Sequence, residues 1–230
     1  MPDSATSAVL LFALDPAQDA KAAVFGGRRG AFVRAFGQME RRTQAHIRRA
    51  GLRLIHAGSS QQPGTGFGDR LARAVSEAFG AGAEYLIVVG NDCPGLRAQD
   101  LLQAQAALEA GCNVLGPAAD GGDYLIGLRR ADFDAEALRQ VCWNTAAVHA
   151  ELMALLSNAQ GPPRVLRTLA DLDDPGAVRR WAARMPGSVL REVLLSLLAP
   201  AAPAEPAPAG LARQLAGVGA HCPWRGPPQR

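Results

Sequence analysis

The sequence predicts an α/β protein built on a mainly parallel sheet, and three observations carry that prediction. Tyr85-Leu-Ile-Val-Val89 is apolar with no polar alternation, so both of its faces call for burial, as in a central parallel strand. Short apolar runs of this kind alternate with longer stretches of helical periodicity, which implies βαβ units with right-handed crossovers. Hydrophobic residues make up 48% of the 230 and charged residues 20%, a globular balance with material for one domain of ordinary size.

Residues 8–14 read as the first buried strand, followed by a loop over 15–23. The helix after it lies in a segment with eight arginines between Arg28 and Arg53 and one acid, Glu40. Phe32, Phe36, Met39, Thr43 and Ile47 fall on one side, with Arg34, Arg41 and Arg48 nearly opposite. That basic side reads as the solvated back of an amphipathic helix. No aromatic residues interleave with its arginines and the net charge is only +3, which argues against a nucleic-acid partner. Gly51 closes the helix, 52–57 form the second strand, and 58–68 form a Gly/Ser/Gln-rich loop. Asp69 is expected to cap the next helix, whose Leu71, Ala74, Val75, Ala78 and Phe79 make one apolar stripe.

Gly90 ends the strand at 85–89, and Pro94-Gly95 turns the chain toward a helix that places Leu101, Ala104 and Leu108 on one face. Gly111 stops that helix. Strands are expected at 112–115 and 124–128, helices around 134–140 and 145–157, and an edge strand at 164–167. Asp174-Pro175 reads as an N-cap followed by proline at the first helical position, opening a helix that buries Val178, Ala182 and Met185. A last helix spans 188–198. Residues 1–198 are thus expected to form one domain, and 199–230, almost only Ala and Pro as far as Gly210, a disordered tail.

Several function classes find no support. Cys93, Cys112, Cys142 and Cys222 show neither a CxxC pair nor zinc spacing, so they read as reduced thiols. No apolar run approaches the roughly 20 residues of a membrane span, and Met1-Pro-Asp-Ser lacks the basic start of a secretion signal, so the expectation is a cytoplasmic protein. There is no GxGxxG or Walker-type loop and no GxSxG elbow, and the four histidines are scattered.

The chemistry concentrates in three acidic loops: Asn91-Asp92, Asp120-Gly-Gly-Asp123 and Asp171-Leu-Asp-Asp174. Open parallel sheets meet ligands beyond the carboxyl ends of their strands, where these loops should lie. A hard divalent cation prefers one or two carboxylates together with substrate phosphate oxygens. Asp92 is read as a ligand residue, against the alternative of a turn aspartate before proline. Asp120 divides evenly between site and turn. Asp174 reads as a helix cap, leaving Asp171 and Asp173 open. Gly121-Gly122 serves either the turn or a close approach to a sugar or phosphate.

Gly90-Asn-Asp-Cys-Pro-Gly-Leu96, with Leu115-Gly-Pro-Ala-Ala-Asp-Gly-Gly-Asp-Tyr-Leu-Ile-Gly-Leu128 about two dozen residues on, resembles a bacterial GT-A-like family. Its members are described as arsenosugar-biosynthesis-type glycosyltransferases or as a domain of unknown function, within the nucleotide-diphospho-sugar transferase superfamily. Gly66-Phe-Gly-Asp-Arg-Leu-Ala-Arg-Ala74, Cys142-Trp-Asn-Thr145 and Leu169-Ala-Asp-Leu-Asp-Asp-Pro175 resemble its other motifs. The resemblance implies a three-layer, Rossmann-like GT-A sheet and transfer of a sugar from a nucleotide diphosphate donor to a small acceptor, assisted by Mg or Mn. Asp92 would hold metal or ribose, and Asp120 would meet the acceptor or act as base. Gly121 and Gly122 would form the floor and Trp143 a stacking wall. Lys21, Arg70, Asn91, Asp123, Tyr124 and Thr145 complete the implied donor-binding set.

The chain departs from the family pattern after the first strand, where a Lys/Pro/Gly-rich loop ending in Lys-Thr-Arg is usual. Residues 13–24 keep only Lys21 as a cation and add Asp15 and Asp19, so phosphate would fall to Arg28, Arg29 or Arg70. Gly66 stands where an acid is common, and Asp123 where an aromatic is common. Two alternatives therefore stand beside the glycosyltransferase: a guanylyl- or cytidylyltransferase-like nucleotidyltransferase, and a degenerate GT-A-fold binding protein. Oligomeric state is not encoded in any motif.

Overall fold

Alternation along the strands decides which layer each element joins. Ala8, Leu10 and Phe12 of β1 (Ser7–Phe12) face one core with Leu86 and Val88 of β3 (Tyr85–Val89), while Val9 and Leu11 face the other with Ile87 and Val89. Both faces are sealed, as the unbroken apolar run requires. The computed structural model describes residues 6–59, 62, 64–185 and 187–199, so the tail expected beyond 199 lies outside the described residues.

Six strands form one sheet in the order β2-β1-β3-β5-β4-β6, with β2 at Arg53–Ala57, β4 at Val114–Pro117, β5 at Asp123–Arg129 and β6 at Arg164–Val165. β5 alone runs against its neighbours; the β1–β2, β1–β3 and β4–β6 pairs are parallel. On one face lie α2 (Phe67–Gly80), α4 (Ala135–Gln140) and α5 (Val148–Leu155). On the other lie α1 (Arg29–Arg49) and α3 (Ala98–Glu109). A third cluster joins the Phe32, Phe36 and Met39 stripe of α1 to α6 (Pro175–Arg184) and α7 (Val189–Leu195). This is the three-layer α/β/α arrangement expected.

The stripes hold where they were expected. Leu71, Ala74, Val75, Ala78 and Phe79 are buried in α2, as are Leu101, Ala104 and Leu108 in α3, and Arg34, Arg41 and Arg48 lie exposed on α1. Two details differ. Asp69 is not the cap of α2: Gly66 holds that position, and the helix opens three residues earlier because Phe67 packs edge-on against Phe12, with centroids 5.6 Å apart. Met185 is 37% exposed, because α6 ends at Arg184 and the backbone at Met185 has already left helical angles.

Candidate active site

Each acidic loop reaches the rim by a local necessity. β3 ends at Val89, and Gly90 to Asp92 follow at its carboxyl end. β4 runs parallel to β3, so its carboxyl end delivers Ala118 to Asp120 to the same rim, and the reversed β5 starts from it. Residues 169–173 are drawn in by backbone bonds: Ala119 N donates to Leu169 O at 2.8 Å, and Leu172 N donates to Asp92 O at 3.0 Å. Leu172 is fully buried, so alternation turns its neighbours Asp171 and Asp173 toward the cleft.

The result is a cleft of ≈ 680 Å³ beyond β1, β3 and β5, which Lys21, Arg70, Asn91, Asp92, Asp120, Gly122, Asp123, Tyr124 and Trp143 all line, together with Asp171 and Asp173. Such a position, where the connections from β1 and β3 leave in opposite directions, is the crevice in which open α/β sheets bind ligands. A neighbouring cavity of ≈ 440 Å³ shares Asp120, Gly122, Asp123, Trp143 and Asn144 and adds Thr145. Gly121 lines neither; its φ of +100° makes it the turn residue of the pair. Gly122 N donates to Asp120 Oδ1 at 2.9 Å, which orients that carboxylate.

Charge is crowded on one side. Lys21, on a short 3₁₀ turn (Ala20–Ala23) capped by Asp19, donates to Asp92 Oδ2 at 3.1 Å and also to Asp173. Burial alone would lower the lysine pKa; the two carboxylates more than offset it and hold the ammonium above its ordinary range. One ligand oxygen each from Asp120, Asp171 and Asp173 lies within 4.8 Å of the others. Burial, then the adjacent Asp173 and Asp120, push Asp171 up to about 8. Burial works against ionisation of Asp173 too, but hydrogen bonding with Asp171 and the charge of Lys21 hold its carboxyl low. Four carboxylates thus meet one ammonium, and the crowding raises the affinity of Asp171 for a proton. Three hard oxygen donors carrying uncompensated charge fit a divalent cation. Asp92 stands outside that trio, joined to it through Lys21.

The other side is built differently. The Trp143 indole N–H donates to Leu138 O at 3.0 Å, and the ring packs 4.9 Å from Phe67. A Cβ on Gly68 would lie 2.7 Å from that ring and 2.8 Å from Arg139 O, so only glycine lets α2 approach so closely. Arg70 projects from the first turns of α2 into the cleft, and its Nε is buried without a hydrogen-bond partner. Arg70 has no ion pair among the described residues, because the nearby Asp69 is committed to Arg73 and Arg139. Arg28 and Arg29 do not supply the missing cation: Arg28 donates to Leu197 O at 3.2 Å and Arg29 to Ala17 O.

Some expected residues have structural employment. Asp123 is held by His149, Nδ1 to Oδ1 2.9 Å, and burial raises its carboxyl to about 6 despite that partner. Tyr124 donates to Arg167 O at 3.2 Å and covers Gly116, where a Cβ would sit 2.6 Å from the ring. Thr145 donates to Cys142 O at 2.7 Å in a turn. Burial raises the Cys93 thiol, so it is no ready nucleophile. His56 sits outside this cleft, 3.1 Å from Glu40. Sequence reasoning left Asp171 and Asp173 undecided and missed Gln62, whose amide bonds Ala13 O and Ala57 O and ties together the loops after β1 and β2. The buried Leu172 between two acids was the available signal for the aspartates.

Residues 7–145, more than half of the chain, match the bacterial family described as "Uncharacterized protein conserved in bacteria (DUF2064)". The chain belongs to that family. Among solved structures, this DUF2064 protein is similar to one from Desulfovibrio desulfuricans G20 that bears the provisional name nucleotide-diphospho-sugar transferase. The TM-score is 0.70 at 21% identity, over 84% of this chain and 93% of that one. At that identity the likeness shows a shared fold. Rv0371c from Mycobacterium tuberculosis H37Rv matches at a TM-score of 0.43 and 15% identity, over 77% of this chain and 98% of that one, too distant to bear on the chemistry. No curated protein matches the chain. No helix among the described residues is long and apolar enough to cross a membrane.

Proposed function

We propose that the cleft binds a nucleoside diphosphate sugar with a divalent cation, Mg or Mn, and transfers the sugar to a small acceptor, as the arsenosugar-type resemblance implies. One observation supports this reading above the others: a group of carboxylates that includes Asp92, Asp120, Asp171 and Asp173 lines the same cleft as Arg70, which has no ion pair among the described residues. Asp120, Asp171 and Asp173 would hold the cation, which when bound neutralises a leaving diphosphate. Arg70 offers the phosphates a planar fork of donors. Trp143 and Phe67 would supply an apolar wall, and Asp120, which lines both cavities, would meet the acceptor or act as its base through a carboxylate oxygen that the cation leaves free.

A binding module without catalysis is favoured by a single feature, the pairing of Lys21 with carboxylates where a phosphate ligand is expected. The two readings separate in a thermal-shift series with uridine, guanosine, cytidine and adenosine diphosphates, with and without Mn²⁺, followed by sugar-nucleotide turnover. A nucleotide at a hundred times its Kd should raise Tm by about 5–10 °C. Asp92→Ala, which frees Lys21 to close on Asp173, should abolish the rise. No shift with any nucleotide at millimolar concentration would remove the nucleotide-sugar reading.

A further inference from the structure

Lys21 is the single lysine among 24 basic residues, and its ammonium is placed among the very carboxylates that suit a cation. Asp173 belongs to two groupings at once. It accepts from Lys21, and it stands with Asp120 and Asp171 as one of three close oxygen donors. A dication and an ammonium sharing one carboxylate repel each other, and at such separations in a cleft that repulsion is not screened away. Occupation of the trio and retention of the Lys21–Asp173 pair are therefore opposed.

Lys21 is also free to leave. It sits on a short turn after β1, its side chain is a quarter exposed at the cleft wall, and its four-carbon stem can swing the charge without moving the backbone. Asp92, held by the chain beyond β3, remains as its second partner at 3.1 Å.

On the function proposed above, we infer that Lys21 is a built-in competitor for the metal and that Asp173 is the exchanged partner. In the metal-free protein Lys21 neutralises Asp92 and Asp173. When Asp173 turns to the cation, Lys21 is released from it and its charge becomes available to the donor diphosphate. The arrangement orders binding, cation before nucleotide. It also explains how a lysine tied to two acids can still serve as a phosphate ligand.

The test is Mn²⁺ binding to the full chain without nucleotide, followed by calorimetry and by the electron paramagnetic resonance of free Mn²⁺. Lys21→Met and Lys21→Gln should tighten Mn²⁺ binding by about tenfold or more, the effect of removing one adjacent like charge. Lys21→Arg, which keeps the charge, should stay near wild type. Gln keeps a hydrogen-bonding group, so the test survives if the Met variant does not fold. Binding by Lys21→Gln where wild type shows none would support the exchange. Equal or weaker affinity in the uncharged variants, or no binding by any form, would overturn it. Failure of the nucleotide reading is separate: it appears as no response to uridine or guanosine diphosphate, whatever the ranking of Mn²⁺ affinities.

Discussion

Lys21 and Arg70 line the same cleft from elements on opposite faces of the sheet, and their surroundings differ in kind. Lys21 is answered twice by its own chain, through Asp92 and Asp173, with Asp120 and Asp171 close by. Arg70 has no counter-ion among the described residues, and its wall is aromatic rather than acidic. On the acidic wall Lys21 bridges Asp92 and Asp173 and so helps to hold the fold together, although the carboxylates still outnumber it. The aromatic wall leaves a charge waiting, which costs stability unless an anion arrives. On the proposed function, a cleft so divided would offer one side to a cation and the other to phosphate.

Substitutions can break or sharpen that contrast. The largest effect is expected at the aromatic wall, where Trp143→Ala removes the ring seated on Gly68 and Phe67. It should cost about 3 kcal/mol, toward the low end for a large aromatic because the indole is only partly buried, as read by urea denaturation. Lys21→Met leaves Asp92 and Asp173 without their cation. A loss of about 2 kcal/mol is expected in chelator-treated buffer, less than for a sealed pair because the lysine side chain is 25% exposed.

A smaller, pH-dependent effect belongs to Asp123. Burial lifts its folded pKa from 3.8 to about 6, with His149 opposing and Asp120 adding to the rise. The folded state therefore holds the proton more tightly. The contribution is complete below about pH 4 and is lost as pH rises through 6. Asp123→Asn should flatten the unfolding free energy across that window; an unchanged slope would place the titration elsewhere. Smallest of all is Arg70→Met, expected to match wild type in stability or exceed it by up to about 0.5 kcal/mol, because an unmet charge is removed and no partner is lost. The same variant should remove most of the nucleotide-dependent rise in Tm, and a full rise would take the phosphate role away from Arg70.

Burial patterns made most of the fold legible. Tyr85–Val89 and the stripes of α2 and α3 declare their layers because side-chain period follows secondary structure, and Asp92 and Asp120 could be placed because strand ends locate the rim. The direction of β5 was not legible, since an apolar run reads the same either way. Nor was the partner of Lys21, because Asp92 and Asp173 lie 71 and 152 positions away and only the finished sheet brings them in. Asp171 and Asp173 depend on two long-range backbone bonds that leave no mark in composition. His149 reaches Asp123 only because α5 packs on β4, the strand paired with β5.

The reversed β5 has one more consequence. The chain between Pro117 and Asp123 must turn back within a fixed span, and β5 divides its side chains between both cores, Leu125 to one and Ile126 to the other. Adding or deleting a single residue there would exchange the two sets and upset both hydrophobic layers together. Evolution can retune this lip of the molecule by swapping side chains, but lengthening it would sacrifice the scaffold.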